Sequence, residues 1–340
     1  MTSQAAFFNG LFLAGSKRAE RPQKAASPFS VIVRKEVADQ VRSWRFIILA
    51  GLILLTFFGA MYVSLANIRS AVSDARDPDS IFLYLKLLTV TGGSLPAFHV
   101  FIGFLGPLLG IAMGFDAINS EQSGGSLIRV MAQPVYRDFL LTAKFTASLI
   151  VIGTLFLSLS LLMIGGGLII TGVPIAPSEF VRIICFTALS VVYVAFWLNL
   201  SILLSVKFRQ TATSALTAIA IWLFFTVFYQ ILLNLAVTAL LPDPRQLSPD
   251  EVLSYNNVIM TFVRFVPSQL YADATTTLLM PSVRSLGPLT MEQMAGAIPS
   301  PLSVRESLLV AWPQVSGLIA ATVACFALSY YLFMRKEIRT

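Results

Sequence analysis

Six apolar stretches, each without Asp, Glu, Lys or Arg, constrain this chain more than any other feature. They fall at Phe46–Ala66, Pro96–Phe115, Phe145–Thr171, Ile183–Val206, Ser214–Leu241 and Ala311–Met334. A helix rising 1.5 Å per residue needs about twenty apolar residues to cross a hydrocarbon core about 30 Å thick. Backbone groups inside lipid must be satisfied within the protein, so these runs are read as helices. The second is the least regular, with Gly103, Gly106, Pro107, Gly110 and Gly114 interrupting it. The chain is 56% hydrophobic and only 12% charged, where soluble domains carry about 25% charged residues. The fold class predicted is an all-α polytopic membrane protein with six spans, and its first partner is the lipid bilayer.

The same stretches exclude several functions. Ion-coupled transporters and intramembrane enzymes keep ionisable groups in the membrane despite their cost of about 2.5–3.5 kcal/mol each. Only His99, near the start of the second stretch, is ionisable within any of these runs. A single histidine offers no metal site, and Cys185 and Cys325 stand apart in apolar runs as small buried residues. No catalytic, metal or cofactor set is legible. The net charge of +7 is read as cations flanking spans, not as nucleic-acid binding, because no basic run is interleaved with aromatics. Gly10 to Lys17 has the glycine spacing of a phosphate loop, but Ser16 and Lys17 stand in reversed order and no strand precedes them. Phe7–Ala14 lacks the preceding positive charge of a signal peptide. Neutral polar residues do occur within spans. Tyr229, Gln230 and Asn234 in the fifth either line a path or bond across a helix interface; Asn199 and Gln314 are similar.

Lysine and arginine set the orientation. Arg34, Lys35, Arg42, Arg45, Arg129, Arg137, Lys144, Lys207, Arg209, Arg335, Lys336 and Arg339 collect on one side. The opposite loops hold Arg69, Arg76, Lys86 and Arg182, diluted by acids. The positive-inside rule then places both termini in the cytoplasm of a cell (inner or plasma) membrane. Residues 1–28 form an N-terminal extension, and 29–340 a transmembrane domain whose outer segment, 242–310, carries short helices over the bundle's outer mouth.

The charged interruption between spans two and three, Phe115–Lys144, is the most informative loop. Glu121 ends the outgoing helix, Gly124 and Gly125 allow a sharp turn, and Ser126 is placed to cap a short helix, Leu127–Ala132. Leu127, Val130 and Met131 share one face, Pro134 stops the helix, and Arg137 and Asp138 lead into the third span. A short helix with one apolar face suits docking to another protein. At these residues the chain resembles the permease subunits of type-2 ATP-binding-cassette (ABC-2) transporters, in particular their NosY-like branch. Those permeases carry a Glu, a Gly-Thr/Ser-Leu, a Pro-Val/Ile-x-Arg and a Lys in the order of Glu121, Gly125-Ser126-Leu127, Pro134-Val135-Tyr136-Arg137 and Lys144. Val31–Leu49 looks like the family's amphipathic elbow before the first span, and Tyr330–Arg339 like its usual ending.

The resemblance implies a permease that works as a homodimer or with a paralogue and carries two separate ATPase subunits, which bind the ATP and Mg. It implies that Leu127–Met131, with Glu121, Gly125, Ser126, Arg129, Pro134 and Arg137, form the ATPase-coupling contact, and that Arg34, Lys35 and Glu36 of the elbow add to it. The function implied is that of an exporter that performs no catalysis itself. The competing reading is a stand-alone secondary transporter or channel.

Overall fold

Proline fixes where the first helix begins. Pro28 follows Ser27, whose hydroxyl accepts the Ser30 N–H at 3.3 Å, so α1 runs Pro28–Val41. The computed structural model describes residues 27–73, 82–90, 93, 95–125, 137–240, 248–283 and 301–335. Among the described residues, six helical segments are long and apolar enough to cross a membrane: Trp44–Asn67, Phe98–Ser123, Asp138–Thr171, Pro177–Lys207, Thr211–Leu240 and Val304–Arg335. They agree with the six anticipated runs and extend beyond several of them at the ends. In chain order, the first lies in α2 (Trp44–Ser73), followed by the short α3 (Leu83–Thr89). The second is α4 (Phe98–Gly114) with α5 (Asn119–Ser123); the third and fourth are α6 (Arg137–Thr171) and α7 (Pro177–Lys207). The fifth joins α8 (Thr211–Leu223) to α9 (Tyr229–Leu240) through a π-helical turn at Phe224–Phe228. Helices α10 (Pro249–Val263) and α11 (Pro267–Leu279) precede the sixth, α12 (Val304–Arg335).

The fourth span is the centre of the bundle. It packs on the second and sixth, which run in its own direction, and on the antiparallel third. The second approaches it backbone to backbone. A Cβ on Gly110 would lie 2.6 Å from the carbonyl oxygen of Val194, and one on Gly114 would lie 2.8 Å from that of Leu198. The glycines read from sequence as interruptions are thus a seam at i, i+4 and i+8, the small-residue spacing by which membrane helices bring their backbones together.

Pro107 stands within α4 and offers no N–H to the carbonyl of Gly103, four residues earlier. Tyr193 of the fourth span fills that acceptor, its hydroxyl donating to Gly103 O at 2.9 Å. Membrane helices keep prolines where a neighbour satisfies the freed group in this way. Tyr193 also stacks on Tyr271 of α11 at 4.3 Å between ring centroids, and the Tyr271 hydroxyl lies 3.0 Å from that of Ser190.

The segment before the sixth span holds two helices that differ in burial. Helix α10, opened by Ser248 and Pro249 with a Glu251 capping box, is largely exposed. Bonds from Ser248 hold the Glu251 carboxyl below its ordinary pKa. By contrast α11 buries Tyr271, Ala274, Thr275, Thr277, Leu278 and Leu279 against the fourth and sixth spans. It is part of the core.

Candidate functional site

Charges gather at the two ends of the bundle. At the end that carries α1, α5 and the start of α6, called the near end, α1 lies alongside the first turns of the third span. The register is consistent: Phe29 meets Phe139 edge to face at 5.8 Å, Glu36 meets Lys144, and Gln40 donates to Ser148 at 2.6 Å. The last two pairs share an offset of 108 residues, so the helices run in the same direction. Helix α1 therefore pairs with α6 over at least three turns.

Lys144 is the focus of this end. Its ammonium lies 3.1 Å from Glu36 Oε2 and 2.7 Å from Glu121 Oε1, with side-chain exposures of 8%, 10% and 16% for lysine, Glu36 and Glu121. One lysine of the third span thereby joins α1 to the end of the second span. Lys35 reaches Glu36 at 3.4 Å and Asp39 at 3.5 Å from the surface. Partial burial alone would lower the Lys35 pKa, but the carboxylates of Glu36, Asp39 and Glu121 outweigh it and the pKa is raised. Beside this group Arg45 pairs with Asp116 at 2.7 Å and lies over the Phe115 ring at 4.7 Å. These side chains border a cavity of about 240 Å³ between α1, the start of α2 and the end of the second span. Gly125 closes the described part of the loop with φ +68°, the turn that its sequence anticipates.

The structure thus brings Glu121 of the loop and Glu36 of the elbow together on one lysine. Glu36 is turned into the protein, while Arg34 and Lys35 are exposed. Ser126, Leu127, Arg129, Met131 and Pro134 lie outside the described residues, as do Lys336 and Arg339. Arg137 opens α6.

The far end holds a different arrangement. Arg182, read from sequence as a loop cation, is a buried residue of the fourth span, 1% exposed. It donates to Leu278 O at 3.0 Å, Leu302 O at 2.6 Å and Ser307 Oγ at 2.9 Å. Glu179, one turn earlier, accepts from Tyr84 N at 2.8 Å and Ala176 N at 3.2 Å. Lys86, also read as a loop cation, is buried in α3. An end-of-span charge reads the same from sequence whether it meets water or protein carbonyls.

The fifth span contrasts with these sites. Of its most apolar stretch 11% is buried, against 67% for the fourth. Gln230 donates to Asn234 at 3.5 Å on its exposed side, and Tyr229 donates to Phe262 O at 2.7 Å. No group of three or more His, Cys, Asp and Glu able to hold a metal occurs among the described residues.

An ion cluster that ties the loop between spans two and three to a helix before the first span is one feature of the architecture; the sequence family completes it. The description "ABC-2 family transporter protein" matches residues 30–338. The chain belongs to that family. It is a multi-pass membrane protein and the membrane subunit of an ABC transporter. It is similar to the "Probable ABC transporter permease protein NosY" of Stutzerimonas stutzeri, 24% identical over 296 residues that cover 86% of this chain and 96% of that protein. A protein of the same description from Pseudomonas aeruginosa is 26% identical over 207 residues, 59% of this chain and 68% of that one. The ABC-2 match encloses both charged ends and all six spans.

Proposed function

We propose that this permease is driven by separate cytoplasmic ABC ATPase subunits that dock at its near end, and that it exports its cargo without catalysis of its own. The observation that carries this reading is the distribution of charge. The buried ionic group of Lys144, Glu36 and Glu121 lies where the loop after the second span meets α1, and the middle of the spans holds no acid or lysine to couple an ion gradient. Energy must then arrive from outside the membrane. In this reading Leu127–Met131, with Arg129, form the coupling contact, and exposed Arg34 and Lys35 add to it. ATP and Mg belong to the ATPase. Both termini face the cytoplasm of the cell membrane under the positive-inside rule.

The fifth span supports the further reading that two permeases work side by side. Its outer side exposes Phe228, Ile231, Leu232 and Leu235 together with Gln230 and Asn234. Amide side chains are poor neighbours for lipid tails and good ones for another helix, so a second copy or a paralogue is assigned to this face.

Purification in a gentle detergent tests the proposal. An ATPase should co-purify, and Arg129→Glu or Ile128→Pro should remove the permease's effect on ATP turnover while membrane insertion persists. A permease that transports alone in proteoliposomes, with no bound ATPase, would overturn it.

A further inference from the structure

We infer that Lys144 is a positioning residue that makes α1 and the end of the second span move as one body. The inference rests on the reading that ATPases act at the near end.

Two ammonium groups meet the carboxylates here: Lys35 reaches Glu36 at 3.4 Å from the surface, and the buried Lys144 lies 2.7 Å from Glu121 and 3.1 Å from Glu36. The two carboxylates on Lys144 come from different elements: Glu36 from the middle of α1 and Glu121 from α5. Lys144 belongs to a third, α6. The lysine also sits at the right depth. Its own carbonyl accepts the Ser148 hydroxyl, and Ser148 in turn accepts the amide of Gln40, so α1 is held to the same turn of α6 by a neutral bond as well. On the other side, the end of the second span is anchored to the fourth by Ser205, which accepts the N–H groups of Ile118 and Asn119 at 2.9 and 3.2 Å. A push on α1 or on the loop after Gly125 therefore reaches the second, third and fourth spans through Lys144. Coupling of this kind requires a contiguous contact shared by the elements that move.

The test measures one distance in two nucleotide states. Spin labels are placed at Val31→Cys on α1 and Ser123→Cys after Glu121, in a background with Cys185→Ala and Cys325→Ala. The permease is held with its ATPases in lipid nanodiscs. In the parent the distance should be the same without nucleotide and with ATP and vanadate, because the labels ride on one body. In Glu36→Gln, which leaves Lys144 paired with Glu121, the distance should broaden or shift on nucleotide binding. The permease's effect on ATP turnover should fall several-fold, with no change in thermal midpoint. Lys144→Arg should restore neither loss when combined with Glu36→Gln, but alone should behave as the parent. A Glu36→Gln protein with parental distances and turnover would overturn the inference, as would a parental distance that changes with nucleotide. Absence of a co-purifying ATPase would instead refute the underlying functional reading.

Discussion

Lys144 and Arg182 are both buried cations at the ends of apolar helices, yet their surroundings differ in kind. Lys144 is held by two carboxylates on two other helices. Arg182 is held by two backbone carbonyls and a hydroxyl from α11, the stretch before α12 and α12 itself. A lysine is a compact point charge that can shift between carboxylates as helices move. A guanidinium is a rigid planar fork that fixes several acceptors at set angles. At the near end a charge is shared among three elements, and at the far end three pieces of chain are bonded to one guanidinium. In the proposed export cycle, the first is the driven end and the second the frame it works against.

The strongest way to break this comparison is to remove each cation in turn. Lys144→Leu leaves Glu36 and Glu121 together with only the surface ammonium of Lys35 beside Glu36, and should cost about 3–5 kcal/mol. Titration with a denaturing detergent would measure it. The combined variant Glu36→Gln, Lys144→Leu, Glu121→Gln should recover most of that loss, because no charge is stranded. Failure of that recovery would show that packing, and not charge, holds the near end.

Arg182→Leu should cost less, about 1–3 kcal/mol, since the described acceptors Leu278 O, Leu302 O and Ser307 Oγ are neutral and lose hydrogen bonds without stranding a charge. Arg182→Lys should recover little, because an ammonium cannot reach Leu278, Leu302 and Ser307 in one plane. A larger loss for Arg182→Leu than for Lys144→Leu, by the same titration, would reverse the assignment of frame and driven end.

The two ends were unequally legible in the sequence. The spans were plain, because runs of apolar residues without charge have few other uses. Glu121, Gly125 and Lys144 stood out by order and spacing along the loop. That Glu36 shares Lys144 was not legible, since it depends on α1 running beside α6, 108 residues away. Arg182 and Lys86 were misread for a physical reason: a cation next to an apolar run has the same sequence whether water or a carbonyl receives it. Gly106, Gly110 and Gly114 were seen as a weakness, although their four-residue spacing is itself a packing signal. The π-turn at Phe224–Phe228 left no sequence mark, as no Pro or Gly accompanies it.

Between the ends, the second and fourth spans offer the mildest and most discriminating perturbation. Tyr193→Phe keeps the ring stacked on Tyr271 and deletes only the hydroxyl that serves Gly103 O. The expected loss is about 0.5–1.5 kcal/mol, the range of a single net hydrogen bond, and membrane measurements lie at its lower side. Pro107→Ala should change the sign of the argument. An alanine N–H at that position can bond Gly103 O within the helix, so the tyrosine hydroxyl becomes dispensable. In the Pro107→Ala background, Tyr193→Phe should therefore cost close to nothing, and a double-mutant cycle in the same denaturing detergent reads the difference. Additive losses would mean that the Tyr193 hydroxyl contributes independently of the proline. A coupled result would mean that the bond across the seam stands in for the one the proline removed, with no help from the charges at either end.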